Sequence, residues 1–380
     1  ATKSVLLRSD NGNITLDRNI TINKGLGNNV VLQANGTGTS VINNTGRTIT
    51  LDTGATTSIG LLASGGGARE NKGTVIVNEE ESQGIAVLAG STGTNSGTIT
   101  LNGKEALGVY NKGTYTMSSG TIVSGAENSI GIYADNVTTT TVSGGNITAQ
   151  NGGIALYSGD NSTINLSGSN ILTANQGGLL FYNYVNGVTV TGKYDITASA
   201  TATVNGGGML LYAKVTNLTD IPTVAAAIKG AFLNPGNLTV NMAAGSNVMY
   251  IDSSGGTANI TQFAGLPSLT SSFFNFVGSG YNDYVMNGFN LTLNDSPESH
   301  LDSGAYGKIQ FINTDVTVAG GINVVGTQSG QVAIAQKNMI GNLVTGRNIV
   351  NNGNILLSGA NSTGLAGDYI TMTNSGTGTI

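Results

Sequence analysis

Short runs of alternating apolar and polar residues recur along the chain, each closed off by Gly, Asn or Ser. Thr163-Ile164-Asn165-Leu166, Val188-Thr189-Val190-Thr191 and Leu238-Thr239-Val240-Asn241 are typical. Period-2 alternation of this length predicts strands with one buried face. The Gly and Asn between them supply positive φ and side-chain turns, so the strands are joined by tight corners.

The strands are organised by a repeat. An Asn-x-Gly-Thr-Val/Ile opener is followed by a second glycine that starts an aliphatic strand. Copies fall at Asn71, Gly73, Thr74 and Val75, at Asn95, Gly97, Thr98 and Ile99, and at Ser118, Gly120, Thr121 and Ile122. A further copy has Asn351, Gly353, Asn354 and Ile355. In all four the second glycine (Gly84, Gly108, Gly131 and Gly364) stands 11 residues after the first, and the adjacent copies are offset by 24 and 23. Gly153-Ile154-Ala155-Leu156-Tyr157, Gly178-Leu179-Leu180-Phe181-Tyr182 and Gly208-Met209-Leu210-Leu211-Tyr212 read as looser versions of the same strand. Strands this short, in a repeat of this length, leave no room for helical crossovers. A chain that returns to its starting position once per repeat is a solenoid. The prediction is an all-β, right-handed parallel β-helix of ~23-residue coils, with the handedness taken by analogy with secreted β-helices.

Composition fits stacked coils. Equivalent residues of neighbouring coils lie ~4.8 Å apart, so like charges would repel along a ladder, and only 9% of the 380 residues are charged. Asn can relay amide hydrogen bonds up such a ladder, while Thr, Val and Ile suit the strands. Residues 1–212 and 311–380 are read as regular coils, the last opening a repeat that continues beyond Ile380. Residues 213–310 are read as coils with a lateral insertion. A short helix is expected over 220–235, with Asp220 as cap, Pro222 in the first turn and Asn234-Pro235-Gly236 as stop. Aromatic-rich loops follow between Phe263 and Phe289.

Charge and motif content exclude several functions. A net charge of −5 without a Lys/Arg stripe lacks the basic footprint of a nucleic-acid binder. No apolar run approaches the length of a membrane-spanning helix, so no direct membrane insertion is expected. The absence of cysteine removes disulfides and thiolate metal sites. Gly187 through Gly192-Lys193-Tyr194 approaches a P-loop, but Tyr194 stands where Ser or Thr must reach magnesium, and the segment alternates like a strand. The Asn-x-Thr triplets, such as Asn146-Ile147-Thr148, follow from an Asn corner leading into a Thr-bearing strand. His300, the single histidine, lies in a polar loop-like stretch without the setting of a catalytic triad. Glu79-Glu80-Glu81 reads as a solvated corner. No catalytic, metal or cofactor-binding residue is expected.

Aromatic residues are the candidate binding groups. Tyr157, Tyr182 and Tyr212 stand four residues after their glycine, and Tyr110 and Tyr133 two after theirs. Even offsets share one strand face, so these tyrosines, together with Leu180 and Leu210, are placed on the outer side of the coils. The alternative is that the rings merely stack on one another, or lie beneath the inserted helix. Phe273, Phe274, Phe276, Tyr281 and Tyr284 form a second candidate partner-binding group within the insertion.

The openers, the strands and the cysteine-free Asn/Thr/Gly-rich composition resemble passenger domains of large type V autotransporter adhesins, the fusobacterial outer-membrane adhesins being similar in texture. Asn71-Lys72-Gly73-Thr74, Ser82-Gln83-Gly84-Ile85-Ala86-Val87 and Ala106-Leu107-Gly108-Val109-Tyr110-Asn111 carry the likeness. The resemblance implies a monomeric rod on the bacterial surface, anchored through a C-terminal outer-membrane barrel outside this chain. Its partner would be a glycan or protein receptor on other bacteria or host cells. It supplies no binding motif that maps onto individual residues. Two other readings stand beside it. One is a non-binding spacer of a longer adhesin. The other is a β-helical polysaccharide lyase or hydrolase, which needs acidic side chains from several coils in one groove.

Overall fold

The structure, a computed structural model, describes residues 4–23, 28–55, 57–136, 139–186, 189–216, 230–243, 247–260, 273–286, 291–293, 309–327, 329–337, 347–367, 370–375 and 378–380. Of the strands between 247 and 314 it describes the backbone alone. The protein is a parallel β-helix, with strands stacked coil on coil and almost no helix among the described residues. Two compact units are formed. The first comprises Ala1–Tyr182, Thr191–Thr203 and Phe232–Thr239, and the second Asn183–Val190, Val204–Ala231 and Val240–Ile380.

In the first unit each coil gives one strand to each of three parallel sheets. Sheet 1 contains Gln83–Val87, Leu107–Asn111, Ile130–Ala134 and Ile154–Ser158, and sheet 2 contains Thr92–Asn95 and Thr114–Met117. Sheet 3 contains Thr74–Val77, Thr98–Leu101 and Thr121–Ser124. Leu61, Ile85, Val109, Ile132, Leu156 and Phe181 come into register, so these coils take 24, 24, 23, 24 and 25 residues. The repeat length read from the glycines is therefore the coil length, apart from a longer 29-residue step from Leu32 to Leu61. All of these side chains are fully buried. They face Ile49, Val75, Ile99, Ile122 and Ile147 of sheet 3, which are equally inaccessible. Each such burial stabilises by about 1.5–3 kcal/mol.

The Asn-x-Gly opener has a physical basis in the corner between sheets 2 and 3. Asn43 Nδ2 donates to Asn71 Oδ1 at 2.8 Å, and Asn71 Nδ2 donates to Asn95 Oδ1 at 2.7 Å, all three residues being fully buried. The glycine two positions on is dictated by close approach, because a Cβ on Gly97 would run into the carbonyl oxygen of Gly73. The third copy departs from the expected alignment. Met117, not Ser118, stacks over Asn95, which ends the amide ladder. One extra residue is taken up before Gly120, whose φ of 86° suits glycine alone.

Strict alternation fails at the start of sheet 1. A Cβ on Gly131 would meet the Ile122 and Ile147 side chains of the core at 3.3 and 3.4 Å, and the next residue, Ile132, is also fully buried. Two consecutive positions thus face inward as the chain turns the corner. Ala155 and Leu180 are the counterparts of Gly131 in later coils. Leu180 is therefore a core residue with no exposure, not a member of the tyrosine face, and Leu210 is buried as well. Period-2 counting carried across a corner misassigned them.

The second unit is built from parallel pairings among Asn247–Ile260, Phe273–Met286, Ile309–Val318 and Val332–Lys337. A smaller sheet joins Leu291–Leu293, Asn323–Gly326 and Asn354–Leu357. The opener recurs there, with Asn351 Nδ2 donating to Asn374 Oδ1 at 2.8 Å and Gly353 N donating to Asn351 Oδ1 at 3.1 Å. Most of the segment expected to hold a short helix, 217–229, lies outside the described residues. Just after it Phe232–Leu233 joins sheet 2 beside Tyr194, and Asn234, at a φ of 53°, leads into the 3-10 turn Pro235–Asn237.

Candidate functional site: the outward face of sheet 1

Sheet 1 presents two outward ladders across the coils of the first unit. One is aromatic: Tyr110, Tyr133, Tyr157 and Tyr182 occupy equivalent positions in four consecutive coils, each half-buried. The other runs beside it through Leu107, Ile130, Ile154 and Leu179; the first three are half-buried. In earlier coils the tyrosine position holds Ala86, Leu62 and Gln33, and the Leu107 position holds Gln83, Ile59 and Val30; Val30, Leu62 and Ala86 cluster with Val5 and Ile59. The result is an apolar strip on the outside of a protein whose other outward positions are largely Thr, Ser and Asn.

Coil spacing determines the aromatic geometry. Side chains stacked at ~4.8 Å must lie ring against ring, and the centroids of Tyr133 and Tyr157 are 4.7 Å apart with 15° between their planes. Tyr157 and Tyr182 meet at 4.6 Å with their planes at 60°, and Tyr110 and Tyr133 at 5.7 Å and 44°. Each contact adds about 0.5–1.5 kcal/mol beyond area burial. Tyr110 is clasped at the lower end: its hydroxyl donates to Asp135 Oδ2 at 2.9 Å, and Lys112 Nζ lies 3.1 Å from the same carboxylate and 5.8 Å from the ring centroid. Burial, and secondarily the Asp135 carboxylate, push the Tyr133 phenol well above its ordinary range.

Tyr157 and Tyr182, picked from the sequence, therefore do stand together, joined by Tyr110 and Tyr133. The differing glycine offsets conceal one register, because Gly153 is not the counterpart of Gly131. Tyr212 belongs to the second unit, opposite Tyr250. Phe273, Phe274, Phe276, Tyr281 and Tyr284 lie on the strand Phe273–Met286, which is paired along both edges. Tyr281 falls in the irregular stretch between Ser279 and Asn282. The side chains of these five residues are outside what the structure describes, as are residues Phe263, Phe289 and His300 altogether.

Several features were not read from the sequence. Phe181, Tyr194 and Phe232 form an internal aromatic cluster, with centroids 5.0–5.3 Å apart. The Tyr194 hydroxyl donates to the carbonyl of Tyr182 at 2.5 Å, with the carbonyl of Leu156 3.1 Å away. This places Gly192, Lys193 and Tyr194 of the P-loop look-alike in the packed strand Gly192–Ile196. Arg69 is buried in the coil, Nη1 donating to the carbonyl of Ala86 while Nε and Nη2 have no partner. Glu79 was expected in solvent but is buried, its carboxylate accepting from the backbone amide of Gly54. Only Glu80 and Glu81 of that run are exposed.

Among the described residues no group of three or more His, Cys, Asp or Glu is placed to hold a metal ion, and no helix is long and apolar enough to cross a membrane. No family model, curated protein or solved structure matches this chain.

Proposed function

We propose that this chain is an adhesive segment of a surface-displayed bacterial passenger protein of the autotransporter type, attaching to other bacteria or host cells through the outward face of sheet 1. The observation that carries the reading is the tyrosine ladder with its aliphatic neighbour. Contiguous apolar surface of this kind, rimmed by polar residues, marks interaction sites. Tyrosine in particular supplies contact area at low entropic cost. The parallel β-helix is compatible with the resemblance seen in the sequence. The spacer reading retains one specific support, namely that the rings already satisfy one another by stacking.

Labelled, purified chain added to intact bacteria and mammalian cells separates the two. The adhesive reading expects saturable binding. Absence of binding by a chain whose circular dichroism shows strand would overturn it in favour of a spacer.

A further inference from the structure

The surroundings of the sheet 1 face select its partner. Both faces of the Tyr133 and Tyr157 rings are taken by neighbouring tyrosines, which leaves ring edges and the half-buried Leu107–Ile130 side for contact. Stacking a sugar needs a free aromatic face. Apolar side chains of a polypeptide need only the surface that remains.

The corner leading into this face carries unbalanced charge. Glu81 and Glu105 occupy equivalent positions of consecutive coils, in the left-handed region at φ of 52° and 57°. Their amides donate to the next coil, Glu81 N to Lys104 O at 3.1 Å and Glu105 N to Glu127 O at 3.0 Å. Other coils place Thr57 or Asn128 there, and Asn is the easier residue in that conformation. Glu81, Glu105 and Glu127 are all exposed. Lys104 Nζ stands 3.8 Å from both Glu105 and Glu127, so one ammonium is shared by two carboxylates. In a chain with 9% charged residues, Glu81 and Glu105 stacked at coil spacing repel, and with Glu127 they outnumber Lys104 along the edge of the apolar strip.

We propose that this face docks a basic, amphipathic polypeptide segment of a partner protein. Its apolar side chains would lie on Leu107, Ile130, Tyr133 and Tyr157, and its Lys or Arg side chains against Glu81, Glu105 and Glu127. The proposal rests on the adhesive reading of the same face. Rim charges of this kind act through specificity and association rate, and salt screens them.

The test uses the whole 380-residue chain and three labelled peptides of equal length that alternate Leu with Lys, Glu or Ser, followed by fluorescence anisotropy. The Leu-Lys peptide is expected to bind roughly tenfold tighter than the others at low salt, the advantage fading at about 1 M salt. Glu81→Gln, Glu105→Gln and Glu127→Gln together should abolish the preference without altering the circular dichroism. Equal affinity for the three peptides, or an unchanged preference in the triple variant, would overturn the proposal. Wild-type binding to cells that survives the triple variant, yet is lost on substituting the tyrosines, would overturn the basic partner alone and leave the adhesive reading standing. Failure of the wild-type chain to bind any cell would sink both.

Discussion

Arg69 is a cation buried in the coil, with one hydrogen bond and no carboxylate partner among the described residues. Gly93, its neighbour in the next coil, makes room for the guanidinium, since a Cβ there would lie 2.6 Å from Nη2. Desolvation lowers the Arg69 pKa from the ordinary guanidinium range to about 9, the nearby Tyr115 acting in the opposite direction. Removing a charge that burial penalises should help, so Arg69→Met is expected to stabilise the protein at neutral pH by on the order of 1–4 kcal/mol. The sign with pH follows from linkage. Above about pH 9 and below the ordinary guanidinium range the unfolded chain holds this proton more tightly than the native one, so the wild type recovers stability from this group as pH rises. The advantage of the methionine variant should therefore be greatest near pH 7 and shrink above pH 9, measured by urea unfolding at several pH values. A variant less stable than wild type at neutral pH would show that the guanidinium contributes more through packing than it costs in charge. Nothing in the sequence marked this residue. Arg69 sits in a Glu/Asn/Lys-rich stretch that reads as solvated, and only the register with Gly93 and Tyr115 shows it turned inward.

The Asn ladder and the tyrosine ladder are elements in their own right, each a column of one residue type running across coils. Asn71 is the central rung of the first, donating to Asn95 and accepting from Asn43. Asn71→Leu would keep the volume but strand one buried donor and one buried acceptor, each worth about 1–3 kcal/mol when unpaired. A loss of at least about 2 kcal/mol is expected from chemical denaturation, and a near-neutral result would mean the neighbours find other partners. These columns were partly legible beforehand. The Asn-x-Gly spacing located the corner correctly, and Tyr157 and Tyr182 were placed on the outer side. What sequence periodicity missed came from corners: the doubled inward step at Gly131 and Ile132 moved Leu180 into the core and left Leu179 beside the tyrosines. The extra residue before Gly120 likewise replaced Ser118 with Met117 in the ladder.

At the scale of the whole molecule, a repeat is a rule about what can be stacked on itself, and departures from the rule carry information. Aliphatic and amide columns obey it, which is why fold class was readable from strand alternation and glycine spacing together. The glutamates along one corner and the apolar strip on sheet 1 break it at a cost in repulsion and in exposed apolar area. Adhesion through that strip is the central claim, and the most direct test is to remove its centre without touching the core. Tyr133→Ser with Tyr157→Ser should leave the strand signal in circular dichroism intact while binding of the purified chain to cells falls by roughly tenfold or more, as loss of central interface tyrosines does. Undiminished cell binding by the folded double variant would contradict the account and move the adhesive surface elsewhere.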